Sequence, residues 1–538
     1  MQLKVDASED KLRGGFYTPQ EIAEFILKWT MADGKGKAIL EPSCGDGIFL
    51  KALSESDYIY DSILGIELKE EEAKKSKAIK LKNKTVLQGD FLDFCLHTKK
   101  RFDTVIGNPP YIRYQFLDKQ QQSYAASIFD RADLKYSKLT NAWVSFVVGA
   151  SLIMKQNSRM AFVLPAELLQ VGYAATLRNY LAKTFNSIYI VSFQKLVFPD
   201  IQQEVVLLFC ERDGSGTHQI EHIEVEDARA LSELDLKAIK SSNKRINFES
   251  DKWTTYFLSQ EEIDFIERVK TDSRLKKLSE YALVEVGITT GANPYFTVPL
   301  SIVEQYKLEE YAMPLVGRSV QVPSVVFTKE DWKMNRNNDK VRSHLLVFPT
   351  LKQIGNRKKV LEYLNLGIKD KIHEGYKCQI RDEWQIIPSI RLSDAFFIRR
   401  NNLFPKLIIN EARAYTTDTM HRVTIKKGVD IKAFVASYYN SLSLAFSELC
   451  GRSHGGGVLE LMPNEVENIV LPYHVNNSKL LSVINQAIRD KKDMSEILRL
   501  TNKHILVDNL GFSQDEVELA DSIWKKLQSR RLLRGNKG

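Results

Sequence analysis

The chain has 538 residues and a formal net charge of +8, with 43% hydrophobic and 27% charged residues, as in ordinary globular proteins of two or more domains. No apolar run approaches the ~20 residues that span a bilayer, and the charged start of the chain is not a secretory signal. Five scattered cysteines argue against a disulfide framework and a zinc site, so we expect a cytoplasmic protein without a metal.

The elements predicted over the first 212 residues alternate between short apolar strands and helices. A turn at Thr18-Pro19 opens an amphipathic helix that reaches residue 30. Strands are predicted at 38–40, 62–66, 85–87, 102–106, 160–164, 188–193 and 205–210, and further helices at 48–54, 70–82 and 141–154. This βαβα rhythm predicts a Rossmann-like α/β domain, an open sheet with helices on both faces.

The rhythm fades after Arg212, and residues 240–245 have the composition of an exposed linker. We therefore predict one domain over 1–245 and a second, mixed α+β domain over 246–538, with residues 478–534 mostly helical. Residues 331–430 hold 20 Lys and Arg against 11 Asp and Glu. Such a local excess favours a polyanionic partner, although a solvated basic surface explains it equally well.

A glycine loop, Glu41-Pro42-Ser43-Cys44-Gly45-Asp46-Gly47, follows the first predicted strand. Glycines let a backbone adopt positive φ and approach a ligand closely. Glu67 and Asp90 follow the next two strands, at the edge where open α/β sheets bind ligands, and suit ribose hydroxyls and an adenine amino group. Dinucleotide and P-loop motifs are absent, and Glu41 would repel phosphates. Any one acid alone also fits a helix cap; the three in order predict a nucleoside with a cationic end, such as S-adenosylmethionine (SAM).

The stretch Asn108-Pro109-Pro110-Tyr111 follows the fourth predicted strand. An exocyclic amino nitrogen is a poor nucleophile because its lone pair is delocalised into the ring. If the Asn108 side-chain oxygen and the Pro109 carbonyl accept its two hydrogens, the nitrogen becomes tetrahedral and its lone pair can attack a methyl group. The two prolines hold these acceptors rigidly, and Tyr111 offers a ring on which a base can stack. A plain proline-rich turn is the alternative.

These residues resemble the gamma class of adenine-N6 DNA methyltransferases from restriction-modification systems. That class has, in order, a Phe-Tyr-Thr-Pro segment (here Phe16-Tyr17-Thr18-Pro19), a SAM loop, Asn-Pro-Pro-Tyr and a TaqI-like C-terminal specificity domain. The resemblance spans roughly residues 14–210. It implies SAM as the cofactor, double-stranded DNA as the substrate and an adenine flipped out of the helix.

The resemblance also implies roles for individual residues. SAM contacts are implied for Tyr17, Thr18, Glu41, Ser43, Gly45, Gly47, Glu67, Asp90, Phe91, Asn108 and Phe146. Phe198 is implied to stack on the flipped base opposite Tyr111, whereas Phe146 fits a core position in an apolar helix at least as well. Cys44 departs from the small residue usual in this loop, and it is not a methylation nucleophile because no Pro-Cys dipeptide occurs.

The second half resembles the specificity domains of the class more loosely, through glycine-rich stretches at 287–293 and 451–457. These are expected either to approach DNA or to be structural turns. Candidate DNA contacts are Arg113, Arg318, Arg452 and His454. Residues 332–340 are polar and basic and are expected to form a loop that orders on DNA. We further expect a monomer and a separately encoded cognate restriction endonuclease.

Three alternatives remain at this point. A methylase component of a multi-subunit restriction or phage-defence complex would share all of these motifs. A protein glutamine-amide methyltransferase would share Asn-Pro-Pro-Tyr, but neither the Phe16–Pro19 segment nor a C-terminal half of nearly 300 residues. A DNA-binding protein on an inactive methyltransferase fold is disfavoured by the intact set of Glu67, Asp90, Asn108 and Tyr111.

Overall fold

The computed structural model describes residues 18–32, 37–195, 197, 204–216, 218–234, 244–245, 252–454 and 456–533. The chain divides into two compact units, Met1–Ile263 and Asp264–Gly538. Within the described ranges, no helix combines the length and the apolar character that a membrane span requires.

The first unit is built on a nine-stranded sheet in the order β3-β2-β1-β4-β5-β7-β6-β8-β9. The strands are β1 (Ala38–Glu41), β2 (Ser62–Glu67), β3 (Lys84–Gln88), β4 (Phe102–Gly107), β5 (Met154–Pro165), β6 (Ser187–Phe193), β7 (Val205–Arg212), β8 (Gln219–Val225) and β9 (Lys244–Arg245). Strands β1 to β5 are parallel, and β7 pairs antiparallel with both β5 and β6. The α/β fold predicted from the sequence is confirmed. Since β1 lies between β2 and β4, the chain order reverses at β1, where such sheets bind ligands.

Helices of the first unit follow the strands. They are α1 (Gln20–Thr30), α2 (Ile48–Ser54), α3 (Glu70–Ala78), α4 (Phe91–His97), α5 (Lys119–Arg131), α6 (Ala142–Leu152), α7 (Glu167–Gln170) and α8 (Ala175–Thr184). The buried face of α1, which includes Ile22, Phe25 and Ile26, joins the same apolar core as Phe49 of α2 and Phe209 of β7. That burial fixes the start of α1 against the sheet.

Helix α3 was predicted to reach residue 82, but it ends at Ala78. The reason is Lys84, the first residue of β3, whose ammonium donates to the carbonyl oxygens of Ser76 (2.8 Å), Lys77 (2.9 Å) and Ile79. Carbonyls at the end of a helix lack intrahelical partners, and a cation there satisfies them.

The predicted linker at 240–245 is wrong where the structure describes it. Residues 240–243 lie outside the described residues, but Lys244 and Arg245 form β9, which pairs with β8. Lys244 is buried, donates to the carbonyl oxygen of Tyr256 (2.6 Å) and lies 3.6 Å from Glu221. The chain therefore stays in the first unit past the predicted boundary at residue 245, and the units divide at Ile263.

The second unit contains a five-stranded sheet (β11-β20-β16-β18-β14), a four-stranded one (β12-β15-β13-β19), a three-stranded one (β17-β22-β21) and the pair β10-β23. Its strands are β10 (Lys276–Lys277), β11 (Ala282–Val286), β12 (Thr297–Val298), β13 (Ala312–Val316), β14 (Val326–Phe327), β15 (His344–Leu346), β16 (Ala395–Ile398), β17 (Arg400–Asn401), β18 (Leu407–Asn410), β19 (Tyr415–Thr416), β20 (Met420–Ile425), β21 (Arg452–His454), β22 (Val458–Glu460) and β23 (Val470–Leu471). This mixture agrees with the predicted α+β character.

Helices surround these sheets and dominate the end of the chain, as the sequence predicts. They are α9 (Gln260–Lys270), which begins at the end of the first unit, and then α10 (Asn293–Phe296), α11 (Leu300–Tyr306), α12 (Lys329–Arg336), α13 (Leu351–Ile354), α14 (Lys358–Lys369), α15 (Tyr376–Gln379), α16 (Ile431–Tyr438), α17 (Ser441–Cys450), α18 (Pro463–Glu467), α19 (Leu481–Arg489), α20 (Met494–Asn502) and α21 (Gln514–Leu533).

Residues 332–340 were expected to form a loop. The structure corrects this prediction, because most of the segment belongs to helix α12. Thr328 and Asp331 form a capping box at its start. Asp331 also makes a two-pronged ion pair with Arg489, at 2.7 and 2.9 Å, and the Trp332 indole donates to the carbonyl oxygen of Ser343 (3.0 Å). These contacts order the segment without a partner.

Candidate functional site

The glycine loop after β1 is held by backbone and side-chain hydrogen bonds. The Cys44 N–H donates to Ile66 (2.9 Å), and the Gly47 N–H donates back to Cys44 (2.8 Å). The Ser76 hydroxyl, on α3, donates to the carbonyl oxygen of Gly45 (2.8 Å). Ser76 was not predicted, since a lone buried serine on a charged helix gives no sequence signal.

The two predicted glycines of this loop differ in what surrounds them. Gly47 has φ +91° and packs so closely on α3 that a Cβ would lie 2.5 Å from Ile79 and 2.9 Å from the Ser76 hydroxyl. Gly45 has φ +50°, and a Cβ there would meet nothing within 4 Å among the described residues. Gly47 therefore serves the packing of the loop, whereas Gly45 borders open space that a ligand can occupy.

Glu41 is a buried carboxylate, 1% exposed, at the end of β1. Its Oε2 accepts no hydrogen bond from any residue that the structure describes. Burial raises the pKa of Glu41 well above its usual range, and the neighbouring acids Asp46 and Glu67 raise it further. An unsatisfied carboxylate is costly to bury, so a cationic ligand group beside it would be stabilised. With the open space at Gly45, this fits the positively charged methionine end of SAM.

Glu67 ends β2 and reaches the loop. Its Oε2 accepts the Gly45 N–H and its Oε1 accepts the Lys69 N–H, both at 2.9 Å. Each carboxylate oxygen has a second lone pair, so Glu67 can shape the loop and still accept from ribose hydroxyls.

Asp90, Phe91 and Phe146 meet beside the end of β3. Asp90 caps α4 through Oδ1, which accepts the N–H groups of Leu92 (2.7 Å) and Asp93 (3.3 Å). Phe91 is 2% exposed, and its ring lies 5.1 Å from that of Phe146, between centroids. Phe146 remains half-buried on α6, although both of its sequence neighbours are buried. This partial exposure is not expected of a residue wholly inside the core. It leaves part of the Phe146 ring available for a flat ligand ring to stack on.

The Asn108–Tyr111 segment contacts the glycine loop directly. The Ser43 hydroxyl donates to the backbone carbonyl oxygen of Asn108 (3.1 Å). The Asn108 side-chain Nδ2 donates to the Thr18 hydroxyl (3.2 Å), just before α1. Pro109 is buried and Pro110 is half-buried. The resemblance had implied cofactor contacts for Thr18, Ser43 and Asn108, and Pro109 and Pro110 were expected to be catalytic. The sequence did not indicate that Ser43 and Thr18 contact Asn108.

Tyr111 is anchored by its hydroxyl, which donates to the carbonyl oxygen of Val163 on β5 (3.1 Å). Burial raises the pKa of Tyr111 well above its usual value, so the phenol stays neutral. The tyrosine is therefore a fixed neutral ring at the carboxyl end of the sheet, as stacking of a base requires.

A polar cluster that the sequence did not reveal lies just after β5. The Glu167 carboxylate accepts hydrogen bonds from the Tyr173 hydroxyl and from Asn141 Nδ2 (3.4 Å), and Asn141 also donates to Tyr173 (2.7 Å). The backbone N–H of Ala142 donates to Ile112 (2.9 Å), which ties α6 to the segment after Tyr111. Asn141 lies 26 residues before Glu167 in the chain, so local pattern does not show the cluster.

Several predicted residues fall elsewhere. Tyr17 and Phe198 lie outside the described residues. Cys44 is buried, and its pKa is raised by burial and by Glu41, so it is not a reactive thiolate. The described residues include no group of histidines, cysteines and acids that could hold a metal ion.

The four candidate DNA contacts divide into two kinds. Arg113 and Arg318 are exposed. Arg452 is paired with Glu465 (2.8 Å), and His454 with Glu460 (2.9 Å), so both side chains have structural partners in the second unit.

The glycine stretch at 287–293 is also structural. A Cβ on Gly287 would lie 2.0 Å from the carbonyl oxygen of Thr417, and the Ile288 N–H donates to Thr416 (2.8 Å). Only glycine permits that approach of two backbones. This stretch was expected either to approach DNA or to be a structural turn, and the structure favours the turn.

Comparison with known proteins gives two family matches. Residues 45–198 match the family described as Eco57I restriction-modification methylase, and residues 250–506 match the C-terminal domain of Type II methyltransferase M.Eco57I. Together they cover the last three residues of the glycine loop, the Asn108–Tyr111 segment and most of the second unit.

Single relatives align over nearly the whole chain. Type II methyltransferase M.AccI of Acinetobacter calcoaceticus is 26% identical over 516 residues, which cover 92% of this chain and 90% of the relative. Type II methyltransferase M.XamI of Xanthomonas campestris pv. amaranthicola is 22% identical and covers 85% of each chain. Among solved structures, the DrdV-DNA complex has a TM-score of 0.49 at 13% identity, covering 91% of this chain and 57% of that one.

Proposed function

We propose that this chain methylates the N6 amino group of a flipped-out adenine. The chain is a SAM-dependent DNA methyltransferase of restriction-modification type, and it shares both the methylase and the C-terminal domain of the M.Eco57I enzymes. The methylated position and the residues named below are the proposed part. Its premise is the pair of family matches, in which the methylase match is followed along the chain by the match to the M.Eco57I C-terminal domain.

One observation carries the proposal: Ser43 of the glycine loop is hydrogen-bonded to Asn108. Oxygen acceptors for an amino group therefore lie next to the loop that would hold the cofactor. A segment with this sequence buried away from the loop would have had no methyl donor within reach.

The cofactor subsite would be formed by residues that meet at the carboxyl ends of β1, β2 and β3. Glu41 and Gly45 fit the methionine end of SAM, Glu67 the ribose, and Asp90 with Phe91 and Phe146 the adenine. Thr18, Ser43 and Asn108 complete its border, and Gly47 acts on it through the packing of the loop. When bound, SAM supplies an electrophilic methyl group on a sulfonium.

The chain's own part in the reaction is alignment. The Asn108 side-chain oxygen and the Pro109 carbonyl accept the two N–H hydrogens of the target amino group. The lone pair of the amino nitrogen is then no longer delocalised into the ring and points at the methyl group. A carboxamide is not a base, so the proton released by the methylated nitrogen passes to solvent. Tyr111 stacks on the extruded base, whose unstacking costs a few kcal/mol.

Double-stranded DNA is the substrate, and the second unit carries the basic window that suits it. We propose that the predicted catalytic domain, residues 1–245, extends to the end of the first unit at Ile263, and that the rest of the chain serves target recognition. Exposed Arg113 and Arg318 would contact DNA phosphates. We further propose that the chain acts as a monomer alongside a separately encoded endonuclease. Transfer by the purified chain alone would oppose the multi-subunit alternative.

The experiment is methylation of duplex DNA by the purified chain and its Asn108→Ala variant, with tritiated SAM and methylation-sensitive sequencing of the product. The wild type should yield N6-methyladenine at one recognition sequence. Asn108→Ala should lose transfer while binding both SAM and DNA. Asn179→Ala, on α8, is the matched control and should behave as wild type.

Three results would contradict the proposal in different ways. Transfer by Asn108→Ala would remove Asn108 from the mechanism. N4-methylcytosine in the product would overturn adenine as the target base but preserve the amino-group mechanism. Methylation of a glutamine amide in protein, with none in DNA, would favour the protein methyltransferase.

A further inference from the structure

Residues 317–321, directly after strand β13 of the second unit, form a turn that is held by side-chain hydrogen bonds. The Oε1 atom of Gln321 accepts the backbone N–H groups of Gly317 (2.6 Å) and Arg318 (3.0 Å). The Thr419 hydroxyl donates to the carbonyl oxygen of Gly317 (2.8 Å). The backbone of this turn is therefore fixed without any partner.

The turn carries Val320, which is 86% exposed. Among the residues that the structure describes, Val320 is the most exposed of the large hydrophobic side chains. A mobile loop could rearrange and bury such a side chain, but a turn with a fixed backbone keeps it in water. Contact between water and apolar surface is unfavourable, so a partner that covers Val320 would gain free energy from the contact.

A second exposed apolar side chain belongs to the helix that meets this turn. Asn335 of α12 donates through its Nδ2 atom to the carbonyl oxygen of Gln321 (2.9 Å). Val320 precedes Gln321 and Met334 precedes Asn335, so each apolar residue is next to one end of this hydrogen bond. Met334 is 74% exposed. Single exposed apolar residues are common on protein surfaces, but two beside one hydrogen bond indicate an apolar patch.

The surroundings of this patch are positively charged. Residues 318–342 contain six Lys and Arg against three Asp and Glu. One of the three acids, Asp331, is already paired with Arg489. Arg318, on the turn itself, is exposed and forms no ion pair with any residue that the structure describes. An excess of positive charge beside exposed apolar groups favours DNA, a polyanion, as the partner.

DNA offers an apolar group to such a side chain at one kind of base. On the major-groove edges of the base pairs, the C5-methyl group of thymine is apolar, whereas the other distinguishing groups are hydrogen-bond donors and acceptors. The side chain of Val320 has no hydrogen-bonding group, so the thymine methyl is the feature that it can recognise directly. A short branched side chain also loses little rotational freedom when it is covered.

We propose that Val320 packs against the C5-methyl group of a thymine in the recognition sequence and is a specificity-determining residue. Arg318 beside it contacts the phosphate backbone, and Met334 borders the same apolar contact. The inference rests on the proposed function, since it assigns base recognition to one turn of the unit proposed for target recognition.

The test compares duplexes that contain thymine with duplexes in which deoxyuridine replaces one thymine at a time. Deoxyuridine keeps the hydrogen bonds of the base and lacks only the methyl group. Methylation-sensitive sequencing with the wild type supplies the recognition sequence, in which each adenine has a thymine opposite. We expect the wild type to bind one of the deoxyuridine duplexes about three- to tenfold more weakly than the thymine duplex, the scale of one methyl group removed from a contact. Fluorescence anisotropy at one salt concentration measures the affinities.

Val320→Ala should bind the thymine duplex about three- to tenfold more weakly than the wild type does. It should no longer distinguish the thymine duplex from that same deoxyuridine duplex, because the two changes remove the two sides of one contact. Its urea unfolding should match the wild type, since the side chain is exposed. Val475→Ala makes the same chemical change at another exposed valine of the second unit and should discriminate as the wild type does.

Several results would overturn the inference. Wild type and Val320→Ala could respond equally to every deoxyuridine substitution, or the recognition sequence could contain no thymine. An equal loss of discrimination in Val475→Ala would assign the effect to a general change of the surface. Unchanged DNA binding by Val320→Ala would also reject a DNA contact and would leave a protein as the partner of the patch.

The proposed function and this inference fail separately. N4-methylcytosine in the product would refute adenine as the target base, while the thymines of the recognition sequence would still test Val320. Adenine methylation at a site where Val320→Ala retains the full sensitivity to deoxyuridine refutes only the role of Val320.

Discussion

The carboxylate of Glu67 accepts the backbone N–H of Gly45 at 2.9 Å, across the glycine loop. The same carboxylate accepts the Lys69 N–H through its other oxygen. One side chain at the end of β2 thus fixes the shape of the loop after β1. The ribose contact proposed for Glu67 and the open space at Gly45 therefore depend on each other.

We expect Glu67→Gln to weaken SAM binding by about 10- to 100-fold, because hydrogen bonds to a charged group contribute about 1.5–3 kcal/mol. The amide that replaces one oxygen would also turn a donor towards the N–H of Gly45 or Lys69. Calorimetric titration with SAM measures the change. Glu70→Gln removes an exposed carboxylate on α3 whose ion pair, among the described residues, is with Lys74, and it should bind SAM as wild type. Unchanged affinity in Glu67→Gln would show that the ribose lies elsewhere.

The two glycines of the loop should respond differently to alanine. Gly47→Ala should lower the free energy of unfolding by about 2–4 kcal/mol, because a Cβ overlaps Ile79 and Ser76 and φ is +91°. Gly45→Ala should cost about 1 kcal/mol of backbone strain and chiefly weaken SAM binding, because its Cβ enters open space. Urea unfolding and calorimetry together separate the two. Equal stability of both variants would contradict the packing role of Gly47.

Sequence reasoning located the strand ends and the acids on them because those signals are local. A short apolar run that ends at a polar residue places Glu41, Glu67 and Asn108 at one sheet edge whatever the rest of the chain does. The contacts among these residues could not be predicted from the sequence. Thr18 and Asn108 are 90 residues apart, and only the packing of α1 on the sheet brings them together.

Other elements were not predicted because their polar residues have partners inside the fold. Strand β8 carries Glu221 and His222, which suggest an exposed segment, yet Glu221 lies 3.6 Å from Lys244, and His222 is hydrogen-bonded to Ser192 (3.0 Å). The helix at 329–336 escaped for the same reason, since the partner of Asp331 is Arg489, 158 residues away. Composition alone cannot distinguish a paired buried charge from a solvated one.

Glu460 should make the second unit sensitive to acid. His454, together with Arg400 and Arg399, lowers the pKa of Glu460 from its usual 4.5 to about 2. A lowered pKa in the folded state stabilises the fold above pH 4.5, and that contribution disappears as the pH falls towards 2. Since its partners are partly exposed, we expect on the order of 2 kcal/mol at pH 7.

Urea unfolding of wild type and Glu460→Gln at pH 7, 4 and 3 tests this contribution. The difference between them should be largest at pH 7 and smaller at each lower pH. Glu496→Gln, on α20, is a control and should track the wild type throughout. A wild-type advantage that is constant with pH would mean that packing, not charge, accounts for the effect of Glu460.

Arg318 and Arg452 were both candidate phosphate contacts, and the structure predicts opposite behaviour for them. Arg318 is exposed and forms no ion pair with any described residue, whereas Arg452 is paired with Glu465, which is buried. Arg318→Ala should weaken DNA binding and reduce the slope of log affinity against log salt by about 0.9, the loss of one phosphate contact, while stability is unchanged. Arg452→Ala should leave the slope unchanged and lower the free energy of unfolding by about 1–3 kcal/mol, because the buried Glu465 carboxylate loses its hydrogen-bonded ion pair with Arg452. Salt-dependent DNA binding and urea unfolding of both variants provide four readouts, and a reduced slope in Arg452→Ala would return that residue to the DNA surface.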